Sequence, residues 1–202
     1  MDEWGTWHKS EPGTNPGFLH QQSTVRDALV AGLTLNIFNN HAGRVRMANL
    51  AQTLNVLQAP ILTEPGGPRM ALTPTFHVFE LFLPHHDAES LPVQIPDEQT
   101  GPDEARIPAV TASASRDAAG VLHVSVCHTG LEGGREIVMT VNGMAARTAR
   151  GRVLASGDMH DHNTFDHPDA VQPVELTGIR VEAGAVRFTL PPASVATIAI
   201  EP

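Results

Sequence analysis

The hydrophobic pattern of this sequence changes its period near residue 100, and no single type of secondary structure accommodates both halves. Before the change, apolar residues recur at helical spacing, as Val25, Leu29, Leu33 and Ile37 do, which places them on one buried face of a helix. After it, apolar and polar residues alternate, as in LHVSV from residue 122, which is typical of half-buried strands. The change predicts a helical first half and an antiparallel β-sandwich from about 107 to 201.

Three helices are predicted in the first half, near 24–40, 46–54 and 74–83. The first has two good N-cap candidates, Ser23 and Thr24, and carries Asp27 in its first turn, where a carboxylate suits the helix dipole. The third follows a Thr-Pro pair, which combines an N-cap residue with proline at the first helical position. These helices carry wide apolar faces and therefore need a large surface to cover them.

One strand is predicted near 56–62, where the run VLQAPIL is almost continuously apolar. Such a run is typical of a parallel strand buried on both faces, and a parallel strand needs parallel neighbours reached through crossover helices. No such neighbours are visible, so we interpret residues 1–95 as the end of a larger α/β domain. Residues 96–106 are rich in proline and acidic residues and are predicted to be a linker to the sandwich domain, 107–202.

The composition excludes several classes of partner and cofactor. The formal net charge of −9 argues against binding to a nucleic acid, and no apolar run is long enough to predict a membrane span. Cys127 is the only cysteine, so an intrachain disulfide is excluded and a buried, unreactive thiol is expected. The sequence contains no Gly-rich phosphate loop and no GxSxG motif, and no cofactor is expected. No signal-peptide pattern opens it, which favours a cytoplasmic protein.

Both tryptophans of the chain, Trp4 and Trp7, lie in its first stretch, MDEWGTWH. Chain termini usually fray, so a free terminus gains nothing from indole rings. An indole wall beside the Asp2-Glu3 pair would suit a sugar, whose ring stacks on aromatic faces and whose hydroxyls form hydrogen bonds. The stretch therefore indicates part of a carbohydrate-binding pocket, and it is not expected to be the natural beginning of a domain.

Five stretches of the sequence resemble the α-L-arabinofuranosidases of glycoside hydrolase family 51. DEWGTWH resembles the Asp-Glu-Trp motif that ends the seventh barrel strand of that family. The likeness continues through QQSTVRDALVAGLTLNIFNNHAGRVRMANLAQTLNVLQAPILT and LTPTFHVFELFLPHH, and reappears in HNTFDHPDAVQP and LPPASVATIAIEP. The resemblance implies an α+β fold, in which a partial (β/α)₈ barrel tail (the last helices and strand) precedes an antiparallel, jelly-roll-like β-sandwich.

The resemblance implies a retaining glycosidase site that this chain would supply only in part. Glu3 matches the family's nucleophile, which attacks the anomeric carbon and lies at the end of a barrel strand. Trp7 would belong to the wall of the sugar pocket. Gln58 would bind arabinofuranosyl hydroxyls, and a purely structural hydrogen bond is the alternative for it. Asp2 and Trp4 would orient and pack the site.

The second carboxylate of such a site, the acid/base, is absent. In the family it is the Glu of an Asn-Glu pair after strand four, and this sequence has no such pair; Glu11 is too close along the same loop for us to assign it that role. The resemblance thus implies a hydrolase that releases terminal α-L-arabinofuranosyl residues from arabinan- or arabinoxylan-type oligo- or polysaccharides, in a fragment inactive by itself. Its implied protein partners are a missing N-terminal half and a homo-oligomer of the family type.

Two alternatives concern the second half. The run HDHNTFDH, 160–167, has a spacing that could suit a metal, or it is a loop between sandwich and barrel anchored by Asn163 and Phe165; no metal is expected. The chain could also be a non-catalytic carbohydrate-binding or assembly sandwich. Such modules generally present Trp or Tyr to sugars, whereas this sandwich has only Phe165 and Phe188, which favours the hydrolase.

Overall fold

The computed structural model describes residues 1–10 and 12–202, and Glu11 lies outside them. The helices are α1 (Val25–Asn40) and α2 (Pro74–Phe82), with 3₁₀ turns at Pro16–Phe18, Leu83–His85 and Asp103–Ala105. The strands are β1 (Ile61–Thr63), β2 (Met70–Leu72), β3 (Glu89–Leu91), β4 (Gln99–Thr100), β5 (Ile107–Pro108), β6 (Val110–Arg116), β7 (Leu122–His128), β8 (Arg135–Thr140), β9 (Thr148–Leu154), β10 (Val174–Glu175), β11 (Arg180–Glu182), β12 (Ala185–Leu190) and β13 (Ser194–Glu201).

Two antiparallel sheets pack face to face and form a β-sandwich. The larger has the order β10-β9-β13-β7-β6-β3, and the smaller has the order β11-β12-β8. Alternate residues of each strand face inward, so Val124, Ile198 and Phe188 share one apolar core. The sandwich predicted from 107 to 201 is confirmed, and β3 extends its larger sheet toward the N-terminus.

Helices α1 and α2 pack on the outer face of the larger sheet. Asn36 of α1 donates to Oγ1 of Thr111 at 3.0 Å and accepts from Oγ of Ser113 at 2.8 Å. Gly32 lets the helix approach, because a Cβ there would lie 2.7 Å from Sγ of Cys127. Helices and sheet therefore share a second apolar core. Its buried members are Val25, Ala28, Leu29, Ala31, Val78, Leu81, Phe82, Cys127, Leu154, Val171, Ala193 and Val195.

The thiol of Cys127 is buried under α1, as expected from the sequence. Burial raises its pKa to about 12. Because the thiolate is the reactive form, this cysteine is unreactive at neutral pH.

The helix predicted near 46–54 is wrong. This segment is irregular, with bends at Ala51 and Thr53, and its backbone pairs with the first residues of the chain in a parallel bridge between Trp4 and Leu50. The Trp4 N–H donates to the Asn49 carbonyl, and the Ala51 N–H donates to the Trp4 carbonyl, both at 3.1 Å. Tertiary pairing therefore overrides a helical spacing of apolar residues.

The strand predicted near 56–62 begins later and pairs differently. Leu57 has a φ of 54° and lies in a turn, and β1 starts at Ile61, after Pro60. β1 pairs antiparallel with β2 in a hairpin, so it is not a parallel strand. Among the described residues, the parallel pairing in this half of the chain consists of two isolated bridges, Trp4 with Leu50 and Leu54 with Ile61, the first residue of β1.

The segment predicted as a linker, 96–106, contains β4, which pairs with β5, and a 3₁₀ turn. β3 precedes it and already belongs to the larger sheet. The chain therefore enters the sheet before this segment as well as after it. Neither of the α-helices in the described part of the chain is long and apolar enough to cross a membrane.

His85 joins the end of α2 to the larger sheet through a series of hydroxyl groups. Thr197 Oγ1 donates to the Leu81 carbonyl at 2.7 Å, so the hydroxyl of Ser125, 2.9 Å away, must donate to Thr197. Ser125 in turn accepts from Nε2–H of His85 at 2.8 Å, and Nδ1 accepts from the hydroxyl of Ser115 at 2.7 Å. The network therefore requires a proton on Nε2, and the imidazole is neutral when Nδ1 accepts from Ser115, as the lowered pKa of His85 favours.

The stability of the protein is expected to fall in weak acid because of this histidine. Burial, with smaller contributions from the charges of His123 and His86, lowers the pKa of His85 from 6.5 to about 4. Between these values the unfolded chain binds a proton that the folded chain does not. The neutral His85 therefore makes its whole contribution to the free energy of unfolding above pH 6.5. That contribution decreases as the pH falls toward 4, by at most about 3 kcal/mol.

Urea unfolding at about pH 7, 5.5 and 4.5 measures this decrease. His85→Gln should flatten it, because glutamine keeps a donor and an acceptor but does not titrate. His20→Gln removes an exposed histidine and is the matched control. If the wild type and His85→Gln lose equal stability between these pH values, protonation of His85 does not cause the decrease.

Candidate functional site

The N-terminal segment lies against the start of α1, where a buried carboxylate holds it. Asp27 forms a capping box with Thr24, whose N–H donates to its Oδ2 at 2.9 Å. Oδ1 of Asp27 accepts from Thr6 Oγ1 at 3.0 Å, and lies 3.2 Å from His8 Nε2 and 3.3 Å from Gln21 Nε2. The Asp27 side chain has 0% exposure. One carboxylate therefore connects the helix start to the DEWGTWH stretch.

Gln58, which is predicted to bind sugar hydroxyls, lies under the same stretch. Its side chain is buried, and its Oε1 accepts from the Thr6 N–H at 2.8 Å and from the Thr6 hydroxyl at 3.2 Å. Gly5 is required at this contact, because a Cβ there would lie 2.1 Å from Gln58 Nε2 and because its φ is 144°. The structural hydrogen bond considered for Gln58 is therefore present, and it joins NVLQA to DEWGTWH.

The two tryptophans lie in different surroundings. Trp4 is half-buried, edge-on to Phe38 with ring centroids 5.4 Å apart and stacked on Phe79 at 6.0 Å. Its Nε1 is buried without a hydrogen-bond partner among the described residues. Trp7 is 70% exposed. Trp4 therefore packs the segment onto both helices, and Trp7 presents its ring to solvent.

Asp2 and Glu3 are exposed at the edge of an open depression of about 470 Å³. The depression is also lined by the segment 49–54, which contributes amide and hydroxyl side chains. Of the described residues that line it, Asp2 is the only carboxylate besides Glu3. The depression can therefore offer carboxylates and hydrogen-bonding groups to a ligand.

The HDHNTFDH run is a structural loop. Asn163 is buried, donates to the carbonyls of Leu72 and Val171 at 2.8 Å, and accepts from the Val171 N–H at 2.7 Å. Arg69 lies over the ring of Phe165 at 5.6 Å and donates to Asp166 at 2.6 Å. The anchoring role of Asn163 is confirmed. Within residues 1–10 and 12–202, no group of three or more His, Cys, Asp or Glu is placed to hold a metal ion.

The hydrogen-bonding role of Asp27 is the feature of this site that the sequence interpretation missed. The spacing of Thr24 and Asp27 is that of a capping box with Asp in place of Glu, and it was a usable signal for the helix start. That spacing says nothing about Thr6, His8 or Gln21. These residues reach the same carboxylate only because of the path of the folded chain.

Relatives of known name cover the whole chain. The family model for the α-L-arabinofuranosidase C-terminal domain matches residues 2–194. An intracellular exo-α-L-arabinofuranosidase of Bacteroides ovatus is 38% identical over 202 residues, which are 100% of this chain and 39% of that protein. An exo-α-(1→6)-L-arabinofuranosidase of Bifidobacterium longum is 31% identical over 212 residues, covering 96% of this chain and 40% of that protein.

A solved structure of a similar protein also matches the whole chain. The crystal structure of the GH51 arabinofuranosidase from Xanthomonas axonopodis pv. citri matches with a TM-score of 0.94 and 42% identity, covering 100% of this chain and 40% of that one. The chain thus spans about two fifths of the length of these relatives. In sequence and in fold, it belongs to the α-L-arabinofuranosidases of glycoside hydrolase family 51 and corresponds to their C-terminal part.

Proposed function

We propose that this chain supplies the nucleophile of a retaining α-L-arabinofuranosidase, which releases terminal α-L-arabinofuranosyl residues from arabinan- or arabinoxylan-type glycans. The observation that carries the proposal is the exposed Glu3 at the edge of the depression, in a segment anchored by Asp27 and Gln58. A nucleophile must be accessible and held in place, and an exposed carboxylate on an anchored backbone meets both conditions. The relatives named exo-α-L-arabinofuranosidases support the choice of sugar.

In the proposed reaction, Glu3 attacks the anomeric carbon and a glycosyl-enzyme ester forms as the leaving oxygen departs. A second carboxylate protonates that oxygen and then takes a proton from the water that cleaves the ester. Trp7 forms part of the pocket wall, and the amide of Gln58 meets sugar hydroxyls. Asp2 and Trp4 orient and pack the site.

The second carboxylate is proposed to come from outside this sequence, which has no Asn-Glu pair. In this proposal residues 1–95 are the tail of a (β/α)₈ barrel, except that β3 pairs in the larger sheet of the sandwich; 96–106 connect it, and 107–202 are the sandwich. The parallel bridge between Trp4 and Leu50 supports a barrel, since neighbouring barrel strands are parallel. The protein partners are then the N-terminal barrel half and further copies in a homo-oligomer, and the location is cytoplasmic, in line with relatives named intracellular.

The test compares this chain alone with the chain extended at its N-terminus by the remaining part of the Bacteroides ovatus relative. On 4-nitrophenyl α-L-arabinofuranoside, the chain alone should release little or no nitrophenol, because the sugar pocket is only partly walled, although this leaving group needs little protonation. The extended protein should hydrolyse the substrate with retention of configuration, which NMR of the first-formed sugar detects.

The added segment without this chain is the control, and it should be inactive because it lacks the nucleophile. Near-normal activity of this chain alone would contradict the proposed division of the site. An inverted product from the extended protein would contradict the proposed mechanism.

A further inference from the structure

The connection between β8 and β9 contains an asparagine followed by glycine, Asn142-Gly143, which has no part in the reaction proposed for Glu3. The sequence has eight asparagines, and Asn142 is the only one with glycine after it. Each of the others is followed by a residue that carries a side chain. The main-chain nitrogen after Asn142 is therefore the least crowded of the eight, because glycine has no Cβ.

The folded chain leaves both residues accessible. Asn142 and Gly143 are exposed and lie in a turn outside the strands. Neither the side-chain amide of Asn142 nor the N–H of Gly143 forms a hydrogen bond to another described residue. Apart from the chain neighbours, nothing lies within 4 Å of the position that a Cβ on Gly143 would take. Water can therefore reach both groups, and no hydrogen bond to a described residue holds either of them.

Several other asparagines are held by hydrogen bonds. Asn36 and Asn163 are buried, and their side-chain amides donate to other residues at 3.0 Å and 2.8 Å. Asn40 donates to a main-chain carbonyl of β6 at 2.9 Å, and the N–H after it, on His41, donates to the Ile37 carbonyl at 3.1 Å. Such groups must lose these bonds before they can react with each other, which costs free energy. Asn142 and Gly143 have no such bonds to lose.

We propose that Asn142 is a site of spontaneous deamidation, a covalent modification that requires only water. The Gly143 nitrogen attacks Cγ of Asn142 and closes a succinimide ring. The bond from Cγ to Nδ2 breaks, and Nδ2 leaves as ammonia with the proton from the Gly143 N–H. Water then adds to one of the two ring carbonyls and opens the ring, which gives aspartate or isoaspartate. The overall change exchanges one ammonia for one water and involves no oxidation or reduction.

The modification alters the turn in two ways. Either product carries a carboxylate, which makes the formal net charge of −9 more negative. Isoaspartate also lengthens the main chain by one methylene group, between Val141 and Met144, which both pack against the core of the sandwich. Deamidation therefore changes the charge of the turn and the path of the main chain between two contacts with the core. This inference concerns the sandwich alone and does not depend on the role of Glu3.

The experiment incubates the folded, full chain in mildly alkaline buffer made with heavy-oxygen water, because the oxygen that replaces ammonia comes from the solvent. A synthetic peptide of sequence 136–147 is incubated in parallel and sets the time scale. Trypsin, used afterwards in ordinary water, releases 136–147, in which Asn142 is the only asparagine. Mass spectrometry should show heavy oxygen in this peptide from the folded chain. Its rate should lie within about tenfold of that of the synthetic peptide, because the turn is not protected by hydrogen bonds.

Two controls locate the reaction. The tryptic peptides 27–44 and 47–69 contain five other asparagines and should gain heavy oxygen at least about tenfold more slowly. Asn142→Gln keeps the amide but would have to close a larger, less favoured ring, so 136–147 should stay unlabelled; urea unfolding verifies that this variant is folded. An unlabelled 136–147 from the folded parent, after the synthetic peptide has reacted, would overturn the proposal. So would labelling of Asn142→Gln at the parental rate, or equal labelling of the three tryptic peptides.

Discussion

Replacing Glu3 with alanine in the extended protein is expected to lower turnover of 4-nitrophenyl α-L-arabinofuranoside by several orders of magnitude. Without the carboxylate no glycosyl-enzyme can form, and the two-step route is closed. The exposed position of Glu3 means that its removal leaves no cavity and no unpaired buried group. The melting temperature should therefore stay near that of the parent, which separates a loss of chemistry from a loss of folding.

Azide distinguishes a missing nucleophile from a displaced substrate. The small anion can occupy the space of the lost carboxylate, so it should restore part of the turnover of Glu3→Ala and yield the glycosyl azide of inverted configuration. Glu132→Ala, which removes an exposed carboxylate from a sandwich loop, is the control and should retain parental turnover. Near-normal turnover of Glu3→Ala would show that the assignment of Glu3, and the interpretation of DEWGTWH with it, is wrong.

Residues 1–95 produced alone are expected to be insoluble or molten. The apolar residues that α1 and α2 bury, such as Val78 and Phe82, share their core with Leu154 and Val195 of the sandwich. Burying one large apolar side chain contributes about 1.5–3 kcal/mol, and a whole domain is stable by only about 5–15 kcal/mol. Losing half of this shared core therefore removes most of the stability that the helical part could have, and the exposed apolar surface favours aggregation.

Residues 100–202 are expected to be the more soluble piece. The sheet face that loses its helices carries hydroxyl side chains, among them Thr111, Ser113 and Ser125. The piece loses the edge strand β3, but it keeps every fully buried residue of the core between the sheets. Size-exclusion chromatography and urea unfolding compare the two pieces with the whole chain. A monodisperse 1–95 that unfolds cooperatively would contradict the expectation, and with it the interpretation of that half as part of a larger domain.

Elements with local signals could be predicted from the sequence. Helix α1 was predicted near 24–40 and runs from Val25 to Asn40, because its N-cap and its four-residue apolar repeat lie within the helix itself. The strands of the sandwich follow from alternation that each strand carries in its own residues, as in β7 and β12. Burial of Cys127 was expected from the general burial of cysteine alone, since the alternation places it on the outer face of β7, where α1 covers it.

The sequence by itself thus determined the parts of this protein whose stabilising contacts are local or periodic. Only the tertiary structure decided that 46–54 is not helical, because its backbone is bonded to Met1 and Trp4, and a helical spacing of apolar residues carries no information about them. The same holds for Asp27. A buried carboxylate must have partners that offset its desolvation, and the capping partner is local, whereas Thr6 and His8 reach it only through the fold.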